Sequence, residues 1–123
     1  MGDYVSKIKV KIQIKNSHED NKFDTIAILQ DEVIKYTEKD NAKVKYNYKK
    51  NELIRENNEL LMKYSFNSDK ITKGEILIKE LDRNLDIEIK TKSIDRKDND
   101  LKVEFSIEDE EFIYRIEEVK WVL

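Results

Sequence analysis

The stretch that decides the fold is Lys73–Ser93, KGEILIKELDRNLDIEIKTKS. In its second half Leu85, Ile87 and Ile89 alternate with charged residues, a period of two that a helix cannot place on one face. In the first half Ile76 and Ile78 share one face, although Leu77 breaks the alternation. The stretch therefore predicts two antiparallel strands joined by a polar turn, which is a β-hairpin.

The turn of this hairpin is predicted at Asp82, Arg83 and Asn84. Of these residues Asn84 tolerates a left-handed backbone best, because its short polar side chain can bond locally. The chain has two glycines and no proline. We therefore expect Asn and Asp to occupy the turn positions that glycine takes in other proteins.

Composition favours one folded domain over residues 1–123. A chain of 123 residues is long enough for a single core. Charged residues make up 41% of the chain and hydrophobic residues 38%, but the apolar residues recur at regular spacing, which disordered chains lack. The 24 basic and 27 acidic residues are interleaved and leave a net charge of −3, so no strong nucleic-acid field is expected.

Several classes are disfavoured by what the sequence lacks. There is no Cys, which excludes disulfides and thiolate chemistry. Met1 is not followed by an apolar stretch of signal-peptide length. The longest aliphatic run, Ile26–Leu29, falls far short of the roughly 20 residues of a membrane-spanning helix. A cytoplasmic protein with no membrane partner is expected.

The same alternation recurs along most of the chain and predicts further short strands. In the first of them Ile8, Val10, Ile12 and Ile14 share one face, while lysines dominate the other. The predicted runs are Tyr4–Lys15, Phe23–Leu29 with Ile26 and Ile28 in phase, Glu32–Glu38, Lys43–Lys49, Leu101–Ile107 and Phe112–Val122, the last following a turn at Asp109–Glu111.

The segment Glu52–Tyr64 fits two patterns. Its apolar residues match a helical stripe, but Leu60, Met62, Tyr64 and Phe66 also alternate without a break. We favour two strands, Glu52–Glu56 and Glu59–Asn67, joined by a short loop at Asn57 and Asn58.

About ten strand-like runs without a convincing long helix predict an antiparallel meander. An open meander would expose two strand edges, and closure removes them. The predicted fold is all-β, a single antiparallel up-and-down β-barrel of about 8–10 strands.

The chain also resembles the YwiB-like family over about Ile8–Ile116. The resemblance rests on the segments IKYTEKDNAKVKY, ELIREN, KYSFN, LDIEIKTKSID and LKVEFSI. It implies a small bacterial protein with a calycin-type, lipocalin-like β-barrel, and it implies no catalytic residues. The matching positions include Tyr36, Glu38, Arg55, Phe66 and Thr91.

No constellation for catalysis is apparent. His18, the single histidine, lies in a polar loop beside acidic residues, a setting more typical of a solvated residue than of a metal ligand. The pairs Asp109/Glu110 and Glu117/Glu118 are adjacent in sequence, so on a strand they face opposite ways and cannot share acid–base work. No phosphate loop or nucleophile elbow is present. We expect no enzyme, no cofactor and no metal.

Arg55 is the candidate binding residue. If Leu53 faces the barrel interior, so does Arg55, and its guanidinium could bind a small anionic or amphipathic ligand in or at the mouth of the barrel. Two alternatives stay open: Ile54 faces inward and Arg55 outward, or an internal Arg55 is satisfied by protein groups. The candidate ligand-binding residues are Arg55, Tyr36, Tyr46, Tyr48, Tyr64 and Thr91.

Two other functions compete with a small-molecule ligand. A protein-interaction or scaffolding barrel with a filled core and no ligand would show an exposed apolar patch, for which Ile54, Leu61 and Leu77 are candidates. Single-stranded nucleic-acid binding is suggested by the tyrosines and lysines of Lys43–Lys50. On a strand these two residue types fall on opposite faces, which disfavours nucleic-acid binding.

Trp121 is expected to plug one end of the barrel. The sequence does not fix the oligomeric state.

Overall fold

A computed structural model describes residues 5–119 of the chain. The described residues form ten β-strands and no helix. The strands are β1 (Ser6–Lys15), β2 (Asp20–Gln30), β3 (Val33–Thr37), β4 (Lys43–Asn47), β5 (Glu52–Glu56), β6 (Leu60–Ser65), β7 (Thr72–Ile78), β8 (Arg83–Lys97), β9 (Asp100–Ile107) and β10 (Glu110–Glu118).

The strands close into one antiparallel up-and-down barrel. Each strand pairs with its neighbours in the chain, and β1 pairs with β10 to complete the ring. The predicted barrel class is confirmed. The connections gather at two ends. We call the mouth the end formed by loops 16–19, 38–42, 57–59, 79–82 and 108–109, and the base the end formed by loops 31–32, 48–51, 66–71 and 98–99.

Aromatic rings fill the barrel interior. Tyr46 lies near the base, with its ring centroid 6.3 Å from that of Phe66 and 6.0 Å from that of Tyr114. The ring centroid of Phe66 lies 4.8 Å from that of Phe105, and the ring centroid of Phe105 lies 5.3 Å from that of Phe112. Such ring pairs add to the burial energy of large apolar side chains. Aliphatic residues of the remaining strands surround this column, including the fully buried Val10, Ile12, Ile34, Ile89, Val103 and Ile116.

The ambiguous segment is two strands, as predicted. Its loop is residues 57–59, one residue longer than expected. The side-chain oxygen of Asn57 accepts hydrogen bonds of 2.8 Å from the backbone N–H groups of both Glu59 and Leu60. A local side-chain acceptor of this kind reverses the chain and competes with helix formation.

The central hairpin forms between β7 and β8, but its turn was predicted too late in the chain. The turn occupies residues 79–82, and its left-handed residue is Asp82, with φ of 47°. Asn84 instead lies in β8, opposite Leu77. The prediction failed because Ile78 pairs with Arg83, which extends both strands by a residue pair.

The last hairpin turns earlier than predicted. Ile107 pairs with Glu110, so the reversal consists of Glu108 and Asp109, and Glu111 is already in β10. The predicted ends of the terminal strands, at Tyr4 and Val122, and the predicted plug, Trp121, lie outside the described residues.

Strand β2 presents an unexpected face to solvent. Ile26 and Ile28 share one face, but it is the outer one, and they are 59% and 40% exposed. Pairing with β1 decides this, because the fully buried Val10 lies opposite Thr25 and so fixes which residues of β2 point inward. A shift by one residue would turn the whole apolar set of a strand to the other side. Ala27 therefore enters the core in place of the isoleucines.

Candidate functional site at the barrel mouth

A cavity of about 140 Å³ opens at the mouth, above the aromatic column. Two charged residues, Glu38 and Arg55, take part in its wall, and the remainder is mainly apolar or phenolic. Strands β1, β3 to β6, β9 and β10 contribute to it. The apolar and phenolic wall includes Ile14, Tyr36, Val44, Leu53, Met62, Tyr64, Phe105, Ile107, Phe112 and Tyr114.

Arg55 faces the interior. In β5 it lies opposite the buried Val44 on one side and Met62 on the other, whereas Ile54 faces outward beside Lys45. The alternation of β5 therefore places a guanidinium just inside the mouth. Its side chain is 24% exposed to solvent.

Two carboxylates already hold this guanidinium. Arg55 donates from Nε and Nη2 to Oε2 of Glu38, at 3.1 and 2.9 Å. Nη2 also donates to Oδ2 of Asp40 at 3.1 Å. Both carboxylates come from the β3 end and the loop that follows it. The second open alternative for Arg55, an internal arginine satisfied by protein groups, is thus what the structure contains.

The pKa values follow from these contacts. Hydrogen bonding to the Glu38 carboxylate raises the pKa of Arg55. The backbone N–H of Ala42, which donates to Asp40 at 3.2 Å, lowers the pKa of the Asp40 carboxyl, and the Arg55 charge adds to this effect. The formal charges of Glu38, Asp40 and Arg55 sum to one net negative charge.

One atom of this cluster has no partner. Oε1 of Glu38 is buried and accepts no hydrogen bond, although Oε2 of the same carboxylate is bonded to Arg55. A carboxylate oxygen removed from water without a donor costs free energy. Because Glu38 takes part in the cavity wall, a donor on a bound molecule could satisfy this oxygen.

A pair of phenols lies deeper. The hydroxyl oxygens of Tyr36 and Tyr114 are 2.6 Å apart and buried. Burial raises the pKa of both phenols. They therefore stay neutral at ordinary pH. In this pair one hydroxyl donates and the other accepts, so one O–H hydrogen is not used within the pair.

Three of the six predicted site residues meet at this cavity: Arg55, Tyr36 and Tyr64. Tyr46 and Tyr48 do not. The Tyr46 hydroxyl donates to Asn51 at 3.1 Å, and the Tyr48 hydroxyl donates to the carbonyl of Asn99 at 3.0 Å. Both interactions point toward the base.

The sixth predicted residue, Thr91, is also structural. Its hydroxyl oxygen accepts the backbone N–H of Asn67 at 3.2 Å. It lies beside the irregularity at which the pairing of β8 with β9 shifts register between Thr91 and Ser93. Thr91 therefore stabilises a loop of the base and takes no part in the cavity.

Sequence reasoning assigned no role to Glu38 and Asp40. A signal for Glu38 existed: in the predicted strand Glu32–Glu38 it follows Ile34 and Tyr36 at spacing two, and so continues their inward face. Asp40 carried no such signal, because a loop acid reaches Arg55 only through the fold.

Metal binding finds no support in the described part of the chain. Between residues 5 and 119 no group of three or more His, Asp or Glu side chains is placed to hold a metal ion. His18 is exposed in the loop after β1, and its backbone N–H donates to the side chain of Asn16 at 2.8 Å.

The described residues also contain no helix long and apolar enough to cross a membrane.

Fold and site define a class: small closed up-and-down β-barrels with a narrow apolar cavity at one end. A solved structure is similar to the chain: the YwiB protein from Bacillus subtilis, with a TM-score of 0.53 and 12% sequence identity over 96% of this chain and 94% of that one. At this identity the likeness shows a YwiB-like fold. No family model and no curated protein matches the chain.

Proposed function

We propose that the barrel binds one small amphipathic molecule at its mouth. The observation that carries the proposal is Oε1 of Glu38, a buried carboxylate oxygen without a partner in the wall of a mainly apolar cavity. The apolar part of the ligand would contact Met62, Phe105 and Phe112. A hydrogen-bond donor on the ligand would bind Glu38.

The size of the cavity limits the ligand. At about 140 Å³ it is well below the roughly 300–1,000 Å³ of sites for drug-sized molecules. It is close to the roughly 150 Å³ of an engineered apolar cavity that binds benzene. The buried part of the ligand would thus be one small ring or a short alkyl chain, and the rest would extend through the mouth.

The charges favour a ligand that carries a donor. Arg55 is bonded to both Glu38 and Asp40, so an anion would compete with two carboxylates for one guanidinium. It would also meet a cluster with net negative charge. Of the two hypotheses drawn from the sequence, an amphipathic ligand is better supported than a simple anion, and an alcohol or ammonium group fits the free oxygen best.

The test uses three probes with the same alkyl chain, namely hexylamine, hexanol and hexanoate. Ligand-observed NMR and thermal unfolding would measure their binding. We expect hexylamine and hexanol to bind more tightly than hexanoate. Glu38→Gln should weaken the binding of hexylamine by about tenfold, since it removes a charge-assisted hydrogen bond. Glu75→Gln, on the exposed outer face of β7, is the matched control and should have no effect.

Three results would contradict the proposal. They are no binding of any probe at millimolar concentration, tightest binding of hexanoate, and equal effects of Glu38→Gln and Glu75→Gln. The second of these would favour the anionic ligand instead.

We also infer that the barrel is a variant of the calycin type. The up-and-down strand order and the cavity at the mouth support this inference. The strand number differs, since this barrel has ten strands and a lipocalin has about eight. The competing function, a protein-interaction barrel, draws its support from the outer surface, where Ile26 and Ile28 are exposed.

A further inference from the structure

The barrel wall is incompletely paired between β2 and β3. Strand β2 has 11 residues, but only Ile28, Leu29 and Gln30 pair with β3. From Asp20 to Ala27 the strand pairs with β1 on one side and does not pair with β3 on the other. Strand β3 continues to Thr37 paired with β4. The two strands therefore separate toward the mouth and leave a slit in the wall, with an unpaired strand edge along β2.

A groove of about 410 Å³ lies over this slit. Inward-facing residues such as Tyr36 and Val44 take part in its wall, together with residues of the outer surface. Tyr36 and Val44 are themselves buried, so the groove is a depression on the outside of the wall, beside the unpaired part of β2. The outer-surface residues are of two kinds, isoleucine and lysine: Ile26, Ile28, Ile54, Lys35, Lys43 and Lys45.

Of the three lysines in this groove, Lys43 alone lies opposite an acidic residue, Glu56. Lys35 lies directly opposite Lys45 on the neighbouring strand, an arrangement that is unfavourable by itself. Within residues 5–119 neither of them forms an ion pair. The one carboxylate in the groove wall, Glu56, is bound to Lys79 at 2.8 Å. Positive charge is thus concentrated here in a chain whose net charge is −3.

We propose that the slit binds an extended segment of a partner protein in which every second residue faces outward and these outward-facing residues are acidic and apolar in turn. The segment adds as a strand to the free edge of β2, through backbone hydrogen bonds. Its acidic side chains contact Lys35 and Lys45, and its apolar side chains contact Ile26, Ile28 and Ile54. Burial of the exposed isoleucines and relief of the lysine repulsion both favour the complex.

The unpaired edge favours a peptide over other anionic partners. A nucleic acid or a lipid surface could meet the lysines, but neither pairs with a strand edge. Single-stranded nucleic acids also need exposed aromatic rings for stacking. The tyrosines of the lysine-rich β4 region, Tyr46 and Tyr48, are buried in the barrel.

The test uses a fluorescent peptide of seven residues, Glu-Thr-Ile-Thr-Glu-Thr-Ile, which places Glu and Ile on one face of a strand, titrated with the full chain at low salt. We expect saturable binding that weakens with salt and disappears when each Glu of the peptide is replaced by Lys. Lys35→Glu should weaken binding by about tenfold or more. The matched control is Lys90→Glu, an exposed lysine on β8, which should change binding by less than about twofold. Circular dichroism would verify that both variants fold.

Two peptides with N-methyl groups on alternate residues would test the strand addition. In an added strand only every second N–H points to the protein, so at least one of the two should lose binding. Absence of binding by the acidic peptide, equal binding of both methylated peptides, or equal effects of the two lysine variants would overturn the proposal. It would also be overturned if an RNA oligonucleotide or anionic phospholipid vesicles bind through Lys35 while the peptide does not.

Discussion

Residues with a left-handed backbone form the turns of this barrel without glycine. Seven described non-glycine residues have positive φ: Asp31, Glu32, Asn41, Asn51, Asp82, Asp98 and Glu108. Five of them are Asn or Asp, as expected for a chain with two glycines. The two glutamates were not expected, because Glu gains little from local hydrogen bonding in this conformation. At these two positions the fold requires a left-handed backbone that a glutamate does not favour.

Glu108 offers a test of how much a left-handed backbone at a glutamate destabilises the fold. It has φ of 57° in the two-residue turn between β9 and β10, where glycine is unstrained. Glu108→Gly should stabilise the protein by about 0.5–1 kcal/mol, as relief of strain exceeds the added entropy of the unfolded chain. The midpoint of urea unfolding would measure it. Asp109→Gly, next in the same turn but without positive φ, should lower the midpoint, and a gain there equal to that of Glu108→Gly would refute the argument.

At the scale of elements, close packing between β7 and β8 depends on Gly74. The glycine lies opposite Ile87 in the hairpin and faces the core. A Cβ at this position would lie 2.9 Å from Cγ1 of Ile87 and 3.0 Å from Cδ1 of Ile89. β-branched side chains are stiff about χ1, so they cannot easily move aside.

We therefore expect Gly74→Ala to destabilise the barrel by about 1–3 kcal/mol through overpacking. Chemical unfolding would measure the loss. Adding Ile87→Val to Gly74→Ala should restore part of it, because it removes a methyl group near the contact. If the alanine instead raised stability, as Gly to Ala does in an open strand, the close approach would be unimportant.

At the scale of the whole molecule, the buried tyrosines link stability to alkaline pH. Burial raises the pKa of five phenols above the ordinary 10.0, that of Tyr48 to about 12. The folded state thus holds its phenolic protons more tightly than the unfolded chain. Their contribution to stability is complete below about pH 10 and is lost as pH rises from there through the folded pKa values.

We expect the urea midpoint to fall steeply above about pH 10, and tyrosinate absorbance to appear together with the loss of β structure. Parallel titrations by absorbance and circular dichroism would measure both. Tyr64→Phe, which removes one buried phenol without a hydrogen bond in the structure, should make the decline shallower. Ionisation of all tyrosines near pH 10 in a protein that stays folded would contradict the assignment.

The sequence by itself determined the strands and most of the core. A period of two in β1 and β9 identified the inward residues correctly, because polar residues on the other face left one choice. For β5 it left two orientations open, with either Leu53 and Arg55 or Ile54 facing inward. It could not say what Arg55 meets, since Glu38 and Asp40 approach it from another part of the chain.

Only the tertiary structure decided the orientation of β2, the charge balance at the mouth and the slit in the wall. In β2 both faces carry apolar residues, so alternation cannot distinguish Phe23 and Ala27 from Ile26 and Ile28, and pairing with β1 makes the choice. The slit depends on where one strand leaves its neighbour in a closed ring. The physical reason is common to all three: a local period defines two faces of a strand, whereas long-range pairing determines which face is buried and which side chains meet there.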